Sequence, residues 1–144
     1  MKLAETFETR LKSWAELRAN LVEIDADSVC TAVNTWWFQR PWRPYCLHWD
    51  DRLTWPDPWA LLEETAFCDL ARGLGIMYTI VMLDRADLQD FVLFEEQTHN
   101  LVLVQSGKYI LNYSADSIVN TCLDTSKCNK RRRITQAELK KQIN

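Results

Sequence analysis

A cysteine, a histidine and a third polar residue are the side chains of this chain whose types and spacing fit a covalent reaction. A nucleophilic cysteine needs a base to hold its proton, and the base needs an orienting group on its far ring nitrogen. His99 opens one apolar stretch, and Asn112 lies near the end of the next. In a hairpin turned around residues 105–107 the two stand almost opposite one another, so a His99–Asn112 hydrogen bond fits the geometry. Without a thiol beside it, His99 is a polar strand-end residue. His48, Asp50 and Asp51 form a second cluster, which reads as the solvated face of a loop. Glu63 and Glu64 fall where carboxylates favour the first turns of a helix, and Glu95 and Glu96 at a solvent-facing strand end. There is no phosphate-cradling glycine loop and no GxSxG.

The five cysteines are Cys30, Cys46, Cys68, Cys122 and Cys128. An odd number, with no secretory signal ahead of it, argues for reduced thiols. A metal site would start from Cys46-Leu47-His48 or from Cys122 and Cys128. Neither has CxxC spacing, so no metal or other cofactor is expected.

The elements that must position these groups can be read from periodicity. Leu3, Phe7, Leu11, Trp14, Leu17 and Leu21 recur at helical spacing, which predicts a helix over residues 3–22. A second helix is predicted from Asp27 to about Phe38, capped by Asp25 or Asp27 and stopped by Pro41. Asp57-Pro58 is a strong start signal for a third, which runs through Trp59, Leu62, Ala66 and Leu70 to a stop at Gly73 or Gly75. Ile76–Leu83 (IMYTIVML) is almost continuously apolar and reads as a buried strand. Phe91–Phe94 reads as a short strand, and residues 99–104 with 108–113 as the hairpin. Thr135-Gln-Ala-Glu138 is a capping box that opens a last short helix. Helices first and antiparallel strands after predict an α+β domain, residues 1–126, followed by a basic extension with a short helix, residues 127–144.

Composition is that of one ordinary globular domain: 144 residues, 47% hydrophobic and 26% charged. The net charge of −3 gives no general attraction to polyanions. No apolar run approaches the length of a membrane span, so a cytoplasmic protein with no membrane partner is expected.

The segment from about Val33 to Ser114 resembles the transglutaminase-like branch of the papain-like cysteine enzymes. Residues 70–83 (LARGLGIMYTIVML) are similar to its helix, Gly-Ile turn and buried strand. His99-Asn-Leu-Val-Leu-Val104 is similar to the strand that begins with its histidine, and Gly107-Lys-Tyr-Ile-Leu-Asn112 to the partner strand that ends in the triad's acid. The resemblance implies N-terminal helices and a central helix packed on a small antiparallel sheet, with His99 as base and Asn112 as its orienting residue. It also implies a nucleophilic cysteine at the start of the central helix. If that helix starts at Pro58, the slot falls on Ala60, which has no nucleophile. Cys68 would then lie about ten residues further on, about 15 Å from the helix start, as a buried helix cysteine. For Cys68 to attack, the helix would have to break, with a new one starting near Thr65.

Six of the seven tryptophans lie between Trp36 and Trp59, and all four prolines between Pro41 and Pro58. This reads as an ordered loop, mostly core, with some indoles turned to a partner. Trp42, Trp49, Trp55 and Arg43 are the candidates there. Lys127 to Arg133 is basic. Arg131, Arg132 and Arg133 would suit an acidic protein partner, and the run is the one place for nucleic acid.

The sequence therefore favours a non-catalytic structural or interaction protein on a degenerate transglutaminase-like fold, with other subunits of an assembly as partners. The competing expectation is a cysteine hydrolase or acyltransferase acting on an amide bond through Cys68, His99 and Asn112. Trp-Pro-Asp-Pro-Trp59 also resembles small proteins of tailed bacteriophages, which implies a virion-associated component present in host cytoplasm and virion.

Overall fold

The computed structural model describes residues 6–96, 99–115 and 132–143. Helix α1 (Phe7–Asn20) is capped by Thr6, whose side chain accepts from the Thr9 amide. Asp25 does the same for α2 (Ala26–Phe38) through the Ser28 amide. A 3-10 segment (Trp49–Thr54) leads to the short helix α3 (Pro58–Leu62), which has Asp57 as cap and Pro58 in the first turn. Helix α4 (Asp69–Leu83) follows, then strands β1 (Val92–Glu96), β2 (His99–Val104), β3 (Tyr109–Leu111) and β4 (Arg133–Thr135), and helix α5 (Gln136–Ile143). The strands form one antiparallel sheet of order β3-β2-β1-β4, with the helices packed on one of its faces. This is an α+β fold.

Two predicted elements are corrected. The third helix does not run from Pro58 to the glycines but ends at Leu62. Residues 76–83 are not a strand; they are the second half of α4. The reason is burial on every side. Helix α4 touches α1, α2, α3 and α5 as well as β1 and β2. A helix surrounded in this way has no polar face, so its sequence loses the 3.6-residue period and looks like a buried strand. The helix ends where Asp84 takes a left-handed conformation (φ 49°).

Hydrogen bonds fix the indoles around α4. The Thr79 hydroxyl accepts the N–H of both Trp14 and Trp37, each at 2.9 Å, and donates to the Gly75 carbonyl. Both indole N–H groups and the Thr79 hydroxyl are thereby satisfied in this apolar centre. The hairpin turns where expected, with Gln105, Ser106 and Gly107 all left-handed. The final helix opens with the capping box: the Glu138 carboxylate accepts from the Thr135 amide and the Glu138 amide donates to Thr135 Oγ1. Residues 133–135, placed by the sequence in an extension, pair with β1 inside the sheet.

No helix among the described residues is long and apolar enough to cross a membrane.

Candidate functional site at the cap of the central helix

Between α3 and α4 the chain runs extended beside residues 41–43. The Phe67 amide donates to the Pro41 carbonyl at 2.9 Å and the Arg43 amide to the Phe67 carbonyl at 3.2 Å. The Phe67 ring is buried edge-on against Trp37, with centroids 5.5 Å apart. This anchor ends one helix and starts the next, and it makes Cys68 the N-cap of α4. The Cys68 sulfur accepts from the Ala71 amide at 3.4 Å, the bond an Asp or Ser makes at other helix starts. The expectation of Cys68 in mid-helix is therefore overturned. Ala60 is likewise no nucleophile slot: it lies on the exposed face of the five-residue α3, its amide bonded to Asp57.

The same strand-like contact brings Cys46 to Cys68. Cys46 Sγ donates to Cys68 Sγ at 3.3 Å, and the Cys68 amide points at Cys46 Sγ at 3.4 Å. The Cys46 S–H lowers the Cys68 thiol most, to about 5; burial opposes this, and the Ala71 amide adds to it. Position at the N-terminus of a four-turn helix favours the thiolate further. Cys46, which holds the shared proton, is pushed up by the same contact and by burial, while Arg43 acts to lower it.

Beside the thiols, Asp69 organises a polar network. Its Oδ2 accepts from the Asn100 amide at 2.6 Å and from Asn100 Nδ2 at 3.0 Å, and its Oδ1 pairs with Arg72 at 2.9 Å. Asn100 Oδ1 in turn accepts the Trp49 indole N–H at 2.7 Å. Asn112 is buried and left-handed (φ 65°). It donates to the Asn100 and Asp69 carbonyls at 2.6 and 3.0 Å, and accepts from Arg72 Nε at 2.6 Å. Its amide donates to Asn34 of α2. The Arg72 guanidinium lies 3.8 Å from the centre of the Phe38 ring, and burial lowers its pKa. A cleft of about 410 Å³ opens over this end of α4, bordered by Tyr45, His48, Trp49, Cys68, Asn100 and Arg132.

Cys68 and Asn112 are thus brought to one end of α4, and His99 is not. Side chains alternate across a strand. Asn100, Val102 and Val104 face the helices, so His99 faces the other way. It is exposed, paired across the strands with Glu96, and its ring lies 6.1 Å from that of Tyr113. The expected His99–Asn112 hydrogen bond is absent, because the left-handed turn at Asn112 swings its side chain to the helix face. His48 borders the cleft, its Nδ1 sharing a 2.6 Å hydrogen bond with the Tyr45 hydroxyl.

Of the expected partner residues, Trp42 is 61% exposed. Trp49 and Trp55 are buried, with their N–H groups on Asn100 and on the His48 carbonyl. Their indoles are packing groups, since the rings meet edge-on at 5.3 Å. Arg43 pairs with Glu64, Arg132 with Glu95 and Asp50, and Arg133 is exposed on β4. Arg131, with Cys122 and Cys128, lies outside the described residues. Among the described residues no group of three or more His, Cys, Asp or Glu side chains could hold a metal ion.

Sequence reasoning missed Cys46, Asp69, Arg72 and Asn100. Asp69 and Arg72 carry a signal, an acid at a first helical position with a base three residues on. Cys46 carries none, because the pairing of residues 41–43 with 67 joins distant parts of the chain. Comparison with known proteins finds no matching family model, curated protein or solved structure.

Proposed function

We propose that this chain is a non-catalytic structural or interaction protein on a degenerate transglutaminase-like framework. The observation that carries the reading is Asn100. It occupies a helix-facing position of β2 and borders the same cleft as Cys68, where a triad would need its base, and both its amide groups are already bonded to Asp69. An amide side chain cannot take a proton from a thiol at neutral pH. Trp42, Tyr45, Leu53 and Trp59, all exposed on the loop and short helices between α2 and α4, supply apolar contact area for other subunits. The likeness of the Trp-Pro-Asp-Pro-Trp stretch to phage proteins makes a virion-associated component the form we infer.

Cysteine hydrolysis or acyl transfer is the second reading, favoured by the Cys68 cap alone. Glutamine-containing peptides with a primary amine acceptor separate the two. The wild-type chain and C68A should both give the buffer rate, while light scattering should show a defined oligomer or a stable complex. Turnover that disappears in C68A would overturn the proposal whichever histidine it needs, as would a strictly monomeric chain that assembles with nothing.

A further inference from the structure

We propose that Cys46 and Cys68 are a reversible dithiol–disulfide couple, a thiol-exchange site at the cap of α4 whose co-reactant is a low-molecular-weight disulfide. This does not rest on the interaction reading and would hold for either function. Three observations carry it. The two sulfurs already touch at 3.3 Å, and a disulfide needs about 2.0 Å. Cys46 lies in a segment without regular structure between α2 and the 3-10 segment, so its side chain can make up the difference without moving a helix or strand. Lastly, Cys68 is only 4% exposed but lines the wall of the cleft, and Cys46 beside it is half-buried, so a small disulfide reaches the pair through the cleft. Cys30, the other described cysteine, is fully buried in α2 and has no thiol neighbour among the described residues.

The chemistry balances in two exchanges. Cys68 thiolate attacks one sulfur of the small disulfide RSSR; the Cys68–SR bond forms, the RS–SR bond breaks, and RS⁻ leaves and takes a proton from water. Cys46 then gives its proton to water and attacks Cys68 Sγ. The Cys46–Cys68 bond forms, the Cys68–SR bond breaks, and a second RS⁻ leaves. The second RS⁻ stays a thiolate or takes a proton from the buffer: in all, the Cys68 thiolate and the Cys46 thiol are oxidised to a disulfide, and RSSR is reduced to RSH and RS⁻. Arg43, which acts to lower the Cys46 thiol, supports the second attack. Oxidation also removes the thiolate that accepts from the Ala71 amide and ties the aromatic loop to the helix it wraps.

Glutathione and glutathione disulfide, mixed at a series of ratios with the full-length chain, test this. After acid quench and alkylation, peptide mass mapping should find a Cys46–Cys68 link that forms as the disulfide fraction rises and is lost when it falls. In C46S the exchange should stop at the first step, leaving glutathione on Cys68. In C68S no adduct should collect on Cys46 at a comparable rate. Far-ultraviolet circular dichroism of both variants checks that they fold, and a variant that fails is replaced by C46A or C68A. No Cys46–Cys68 link at any ratio, a preferred link of Cys68 to Cys122 or Cys128, or equal modification of Cys30 and Cys68 would each overturn the proposal.

Discussion

The indole of Trp37 lies flat against Gly75, so close that a Cβ at residue 75 would overlap its ring carbons. Trp37 has no room to retreat. Its N–H is held by Thr79 one turn along the same helix, and its far side meets Phe67. Phe67 is the residue whose backbone pairing places Cys68, so the contact at Gly75 and the geometry of the helix cap belong to one packing arrangement.

Gly75→Ala should therefore destabilise the fold. Alanine is a better helix former by about 1 kcal/mol, but overpacking against a fixed ring costs about 1–3 kcal/mol or more. Gly73→Ala is the control. Its nearest obstacle is the methyl end of Leu93 at 2.7 Å, which can rotate away more readily than a ring. Denaturant unfolding should show a lower midpoint for G75A than for G73A. Equal midpoints would mean that Trp37 shifts freely.

Asp69 and His99 should behave oppositely on truncation. Asp69→Ala leaves the Asn100 amides and one arm of the Arg72 guanidinium, whose Nε stays on Asn112, without their acceptor in a partly buried site, a loss of about 2–3 kcal/mol. His99→Ala removes an exposed ring and should change stability by less than about 0.5 kcal/mol. A large loss in H99A would place His99 inside the network rather than on the far face of the sheet.

Cys68 should react as a thiolate in mildly acidic solution. Its pKa lies near 5 in the folded chain and near 8.5 for an unfolded thiol. A depressed folded value contributes stability that is fully present above about pH 8.5 and is lost as the pH falls toward 5. The stability difference between wild type and C68A should accordingly shrink over that interval. The rate of iodoacetamide labelling at Cys68 should level off well below pH 8. Cys46→Ala removes the largest cause of the shift and should move the labelling curve to higher pH. An unmoved curve would assign the shift to the helix terminus alone.

Several features of the fold were legible because they are local. Asp25 and the Thr135–Glu138 box cap the helices they were expected to cap, and Asp57 caps a helix at the expected start though that helix ends at Leu62, since a cap needs only its own next three residues. The hairpin was legible for the same reason. Residues 76–83 were not, because a helix enclosed by helices and a sheet has the hydrophobicity of a buried strand. At the site, Cys68 and Asn112 were named from order and resemblance. His99 was named by type, whereas the face it occupies depends on a register in which one residue reverses the side.

By itself, then, the sequence determined an α+β chain with capped helices ahead of an antiparallel hairpin and a loop rich in indoles. Tertiary structure decided where α4 begins. Phe67 packs under Trp37 and pairs with Pro41 and Arg43, contacts across more than twenty residues of chain that no local pattern encodes. That single long-range pairing moves the helix start to Cys68 and sets Cys46 against it, while the register of β2 in the sheet turns Asn100 rather than His99 toward the helices.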